Sequence, residues 1–101
     1  MAKKQRTNHV YEDKNVTVVV VPTRGVTAYG VAVRNARDPY NPNLARDIAV
    51  DRALIGLSNL SISPSFSNGE AMIKLNQSTA YQAFLVDYRV PAYRHYGRIL
   101  S

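Results

Sequence analysis

Residues 30–54 read GVAVRNARDPYNPNLARDIAVDRAL, and the fold turns on how that stretch is divided. Val31 and Val33 alternate with small residues, as they do at the end of a strand. A loop follows, in which Pro39 and Pro42 bias Asp38 and Asn41 away from the helical region. Asn41 is a good N-cap, with Pro42 at the first helical position; Asn43 is the rival cap. Ala45, Ala49, Ala53, Gly56, Leu57 and Leu60 then recur on one side of a helix, which predicts a helix over residues 42–60. Leu44, Ile48 and Ile55 extend the apolar arc, and Asp47, Asp51 and Ser58 define a wet stripe. Arg52 lies between the two apolar patches, where a charge needs a partner. Asp38 in the preceding loop is the expected one. Asp38, Pro39, Pro42 and Arg52 therefore read as structural residues that lock the strand to the helix.

Before this stretch, Val16-Thr17-Val18-Val19-Val20-Val21 is the clearest strand, apolar on both faces and so expected to be covered on both sides. Pro22-Thr23-Arg24-Gly25 is a turn: Pro22 presets φ and Gly25 accepts a positive one. The return strand has a bulky row, Tyr29, Val31 and Val33, and a small row, Ala28, Gly30 and Ala32. The bulky row is expected beneath the helix. The small row is expected to admit another segment or another chain.

After it, residues 61–69 read as a linker by composition. Met72-Ile73-Lys74-Leu75 reads as a short strand. Ser78 has the character of an N-cap, and Ala80, Tyr81, Phe84, Leu85 and Tyr88 recur at helical spacing, which favours a second helix over residues 79–89. A strand is the alternative there, since Phe84, Val86, Tyr88 and Val90 also alternate. The expected class is α+β: an antiparallel hairpin (residues 15–22 and 26–34) packed on a helix (42–60), then a short strand and a second helix or strand (79–89). Residues 1–9 read as a basic flexible arm, 10–90 as one small domain and 91–101 as a basic aromatic tail.

Composition narrows the chemistry. The 101 residues include no cysteine, which removes disulfides, thiolate metal sites and thiol nucleophiles. His9 and His95 stand in opposite tails, and a metal site needs three or four ligands. Asp47 and Asp51 share a helix face that solvation explains. There is no nucleophile–base pattern and no glycine-rich phosphate loop, so neither catalysis nor a cofactor is expected. No apolar run approaches the roughly 20 residues of a membrane span, and no apolar leader is visible, so a cytoplasmic protein without membrane contact is expected.

The net charge of +6 is concentrated at the ends. Lys3, Lys4, Arg6, Arg94 and Arg98 carry five of the six charges, and the middle is almost neutral. A basic balance favours a polyanionic partner. The candidate binding residues are Lys3, Lys4 and Arg6 in the arm; Arg34, Arg37 and Arg46 around the loop; and Tyr93, Arg94, Tyr96 and Arg98 in the tail. Tyrosine stacks on bases and arginine pairs phosphates, and both are favoured anchors of protein interfaces; a structural reading of the tail, in which it packs back onto the sheet, stands beside these two. The first expectation is a small non-enzymatic nucleic-acid-binding protein for DNA or RNA. The alternative is an accessory protein that binds and inhibits a host protein or defence complex. A third reading is a homo-oligomer, joined through the small row or the C-terminal segment.

Gly-Val-Ala-Val-Arg-Asn-Ala-Arg-Asp-Pro, with Pro42, Leu44, Ile48-Ala49 and Arg52-Ala53-Leu54, resembles the core of a family of small uncharacterised proteins from actinobacteria and bacteriophages. Their pattern is a strand, an Asp-Pro loop and a helix carrying Arg-Ala-Leu. The resemblance covers about residues 26–60 and implies a fold similar to double-stranded-RNA-binding domains, in a bacterial or phage-infected cytoplasm. Those domains clamp phosphates with a lysine cluster at the start of the final helix. Here that place reads Leu44-Ala45-Arg46-Asp47, and no helix precedes the first strand.

Overall fold

Branched side chains on both faces of residues 16–21 can all be buried only if the strand is covered from two sides. A computed structural model describes residues 8–58, 66, 69–90 and 93–100. Its elements are β1 (His9–Glu12), β2 (Val16–Pro22), β3 (Val26–Val33), α1 (Pro42–Ser58), α2 (Gly69–Gln77), α3 (Thr79–Tyr88) and β4 (Tyr96–Leu100). The strands form one antiparallel sheet in the order β1-β2-β3-β4. Helix α1 packs on one face and α2 and α3 on the other, so β2 is buried along its length. The expected hairpin packed on a helix is present, within a sheet of four strands.

The two faces differ in grain. Val16, Val18, Val20, Tyr29 and Val31 meet Phe66, Leu75, Tyr81 and Phe84 in the larger core. Val19, Val21 and Ala32 meet Ala49 and Ala53 in the smaller one. The expectation that the bulky row would lie under α1 is therefore reversed. Helix α1 sits on the small row, because its own small side and that row together permit the closest approach. A Cβ at Gly30 would collide with the Ala49 carbonyl oxygen and come within 2.6 Å of the Ala53 nitrogen. The bulky row instead meets the aromatics of α3, with Tyr29 and Phe84 ring centroids 5.1 Å apart. The small row is thus covered by α1 and offers no joint to a second chain.

Residues 72–75 are not a strand but part of α2. Ala71, Met72 and Leu75 share one side at helical spacing and turn to the larger core, while Ile73 faces out. The ambiguity at residues 79–89 resolves as helix α3, with Val86 exposed where a strand would have buried it beside Phe84. Ser78 caps it as expected, its Oγ accepting the Tyr81 N–H at 2.9 Å. Arg89 closes it in the left-handed region at φ 53°, donating its N–H to the Leu85 carbonyl at 2.7 Å. Asn41 caps α1, accepting the Leu44 N–H at 3.1 Å. The expected continuation of α1 to residue 60 and most of the linker fall outside the described residues; Phe66 is buried and Gly69 opens α2.

Two strands lie where the sequence predicted none. Strand β1 occupies the junction of the arm and the domain. The stretch read as a tail supplies β4, which pairs with β3 from Val26 opposite Leu100 to Gly30 opposite Tyr96. Among the described residues, no helix is long and apolar enough to cross a membrane.

Candidate functional site

Among the described basic side chains proposed for a partner, Arg34, Arg46 and Arg98 are engaged within the molecule. Arg34 donates from Nε to the Lys14 carbonyl (2.9 Å), from Nη1 to the Asp38 carbonyl (2.8 Å) and from Nη2 to Asn15 Oδ1 (3.1 Å). It stitches the β1–β2 turn to the loop after β3. Arg46 pairs with Glu12 of β1, its Nε donating at 2.9 Å, and that bond holds the Glu12 carboxyl below its usual range. Arg98 reaches from β4 to the last turn of α1, donating to the Gly56 and Leu57 carbonyls at 2.8 and 2.7 Å. Helix C-termini leave such carbonyls without intrahelical partners, and a cation there also suits the helix dipole.

The aromatic members are similarly placed. Tyr93 donates to Asn76 Oδ1 at 2.8 Å and packs beside Tyr81. Tyr96 faces Gly30 across the β3–β4 ladder, and Arg94 is half-buried just before β4. Arg37 is exposed in the loop after β3. Lys3, Lys4 and Arg6 lie outside the described residues. Pro39 and Pro42 flank Asn41, where the loop enters α1.

The expected Arg52–Asp38 ion pair does not form. Arg52 Nη1 donates to the Val31 carbonyl at 2.5 Å, and Asp38 is held through its backbone by Arg34. The helix puts Arg52 over β3 itself, nearly three turns beyond the point where the loop enters α1. With only a neutral oxygen to meet it, burial pushes the Arg52 guanidinium below its usual range.

Two surfaces remain open. The first is the outer face of α1. Of the eight exposed large hydrophobic residues described, Tyr40, Leu44, Ile48, Leu54 and Ile55 belong to this helix and the loop that leads into it. Leu44, Ile48 and Ile55 lie along one stripe, at i, i+4 and i+11, with Asp51 set between the last two. Tyr40, Leu44 and Ile48 also line a shallow, mainly apolar cleft of about 90 Å³ against the β1–β2 turn. The second is a cavity of about 250 Å³ beyond the start of β4, reached by Arg52, Lys74 and His95. The sequence reading weighed Arg52 as a structural residue and His95 as a metal ligand, and it gave no sign that they meet Lys74, since the three come from separate elements.

Asp13 was also missed. Its carboxylate accepts from the N–H groups of Asn15 and Val16 (2.8 and 2.9 Å) and from Ser78 Oγ at 2.5 Å. It therefore ties the β1–β2 turn to the cap of α3. An Asp two residues before an Asn at a turn was a local signal; its link to Ser78 had none. Comparisons with known protein families, with curated proteins and with solved structures each find no match.

Proposed function

We propose that this chain is a non-enzymatic accessory protein that acts by binding another protein through the outer face of α1. The observation that carries the reading is the exposed stripe of Leu44, Ile48 and Ile55, with Tyr40 at its end. Tyr40 and Leu44 are 53% and 54% exposed. Apolar side chains gathered on one face of a small soluble domain mark an interaction surface more than scattered ones do. Asp51 sits within the stripe and Asp47 beside it, and both favour a partner that sets basic residues among its apolar contacts. The bacterial or phage setting implied by the sequence resemblance suits a host protein as that partner.

The test is affinity capture from a bacterial lysate with the wild-type chain and with Leu44→Glu/Ile48→Glu. The expected result is a specific protein that survives high salt on the wild type and is lost from the variant. Leu44 is 54% exposed and Ile48 37%, at the margin of the cleft, so the variant should keep the wild-type circular dichroism with at most a small drop in Tm. Retention of the same partner by the folded double variant would overturn the reading.

Nucleic acid is the second reading, supported by the +6 charge and by the exposed Lys14 and Arg37 beside the Arg34 junction. It predicts a complex that weakens steeply with salt and is indifferent to Leu44 and Ile48. Engagement of Arg34, Arg46 and Arg98 inside the fold is what lowers it to second place.

A further inference from the structure

Strand β3 outruns β4. Their last pair is Gly30 with Tyr96, and the His95 carbonyl then accepts the Val31 N–H at 2.8 Å. Beyond that point no β4 residue lies beside the end of β3, and the space left is the 250 Å³ cavity. Because the gap lies in the plane of the sheet, side chains from both helical layers enter it. Arg52 comes from α1, and Lys74 and Glu70 come from α2. Phe66 and His95 form a wall, with ring centroids 3.9 Å apart. By the alternation of a strand, the Val33 N–H faces the same side as that of Val31.

The charges around this space do not cancel. The Lys74 ammonium donates to the Arg34 carbonyl and pairs with Glu70 at 3.3 Å. Arg34 donates only to neutral oxygens, and among the described residues Arg52 has the Val31 carbonyl as its one hydrogen-bond partner. The Arg34 guanidinium turns away to the β1–β2 turn, so two cations, Arg52 and Lys74, face one carboxylate, and among the described residues one positive charge is left over. A guanidinium cannot escape desolvation by losing its proton at ordinary pH. An anion in the cavity is what would offset the cost.

We propose that this gap in the sheet is a binding site for a phosphate group carried by a small molecule. Arg52 offers its remaining N–H donors, Lys74 an ammonium with one carboxylate partner, and Asn35 and His95 further polar contacts. A guanidinium fork matches two phosphate oxygens, which neither water nor a carbonyl can do. The Phe66–His95 wall offers an aromatic surface to the organic part of the ligand. The volume lies just under the usual lower bound for small-molecule sites, about 300 Å³. None of these residues belongs to the Leu44–Ile48–Ile55 stripe, so this site and the protein-binding face stand or fall separately.

The full chain would be titrated with sulfate, inorganic phosphate, adenosine 5′-monophosphate and, as the uncharged control, adenosine. Binding would be read from the Arg52 Nε–H and His95 ring resonances and by calorimetry. The expected result is that the anions move both sets of signals and adenosine moves neither. Tighter binding of the monophosphate by about tenfold identifies an organic phosphate as the ligand; equal affinity identifies free phosphate. Arg52→Gln should weaken binding at least about tenfold, and Lys74→Gln several-fold. Lys74→Gln decides the matter if loss of the Val31 bond unfolds the Arg52 variant. Signals that stay still at about 10 mM anion, or folded variants that bind like the wild type, would overturn the proposal.

A second readout is pH. Burial, and then the Arg52 charge, hold the His95 imidazole below its ordinary range. The other charged groups that face the cavity are Arg52, Lys74 and Glu70. A bound anion favours protonation of His95, so sulfate, whose own charge is fixed, should bind more tightly as pH falls from about 7.5 to about 6. A flat profile together with loss of binding in His95→Asn would place His95 in the wall rather than on the anion, and a flat profile with full binding in that variant would remove it from the site.

Discussion

Gly30 sets the distance between α1 and the sheet, since its missing side chain is the space the helix backbone occupies. Gly30→Ala places a methyl group against the Ala49 carbonyl and within 2.8 Å of Arg52 Cβ. Neither backbone can move without disturbing a fully buried layer. The expected cost is about 3 kcal/mol, from overpacking rather than from any lost contact. Denaturant unfolding would show it as a lower midpoint at an unchanged slope. An alanine there that leaves the midpoint unmoved would mean that α1 is not seated as described. Gly97 answers a different need. It stands opposite Tyr29, and the Tyr29 ring fills the space its side chain would take.

At the scale of elements, the joints are made by polar side chains that reach between neighbours. Asp13 joins the β1–β2 turn to α3. Burial alone would raise its pKa, but the hydrogen bonds from Ser78, Asn15, Val16 and Ala80 outweigh that and leave it below the usual carboxylate range. The sign of the pH effect follows. A carboxyl with a depressed folded-state pKa adds stability above its unfolded value, about 3.9, and the contribution fades as pH falls through the folded value. Asp13→Asn should therefore lower Tm near neutrality, and the gap from wild type should close below about pH 4. A gap of constant size from neutral to acid pH would assign the loss to geometry, not to charge. Helix α1 makes the opposite use of its surface: its inner side is small and buried, and its outer side keeps Leu44, Ile48 and Ile55 in water.

Across the whole molecule, β4 closes the architecture. Three helices separate it from β3, the strand it pairs with, and through Arg98 it also holds the end of α1. Arg98→Met keeps much of the side-chain stem while removing both donors. It should cost about 1–2 kcal/mol, the range of hydrogen bonds made by a charged group at a partly solvated site. Hydrogen exchange should show the added opening first at the last turn of α1 and along β4. Uniform loss of protection across the sheet would instead mean that Arg98 acts on the fold as a whole.

What the sequence determined by itself is the local grammar. Branched residues marked β2, the Pro22–Gly25 turn marked the hairpin, and Asn41 and Ser78 marked two helix starts. Each of these depends on backbone preferences and neighbours a few residues away. The sequence also singled out Arg52 as a charge in need of a partner, and that need is a property of its place on the helix wheel. Tertiary structure decided the rest. Which row of β3 meets α1 depends on the closest approach of two surfaces, not on either one alone. Whether residues 72–75 form a strand or a helix depends on the core that receives Met72 and Leu75. The basic aromatic C-terminal segment became a strand because β3 had a free edge, and Arg34, Arg46 and Arg98 were engaged by oxygens distant in sequence. The cationic gap beside β3 has no local signal at all, since Arg52, Lys74 and His95 meet only where β4 stops short.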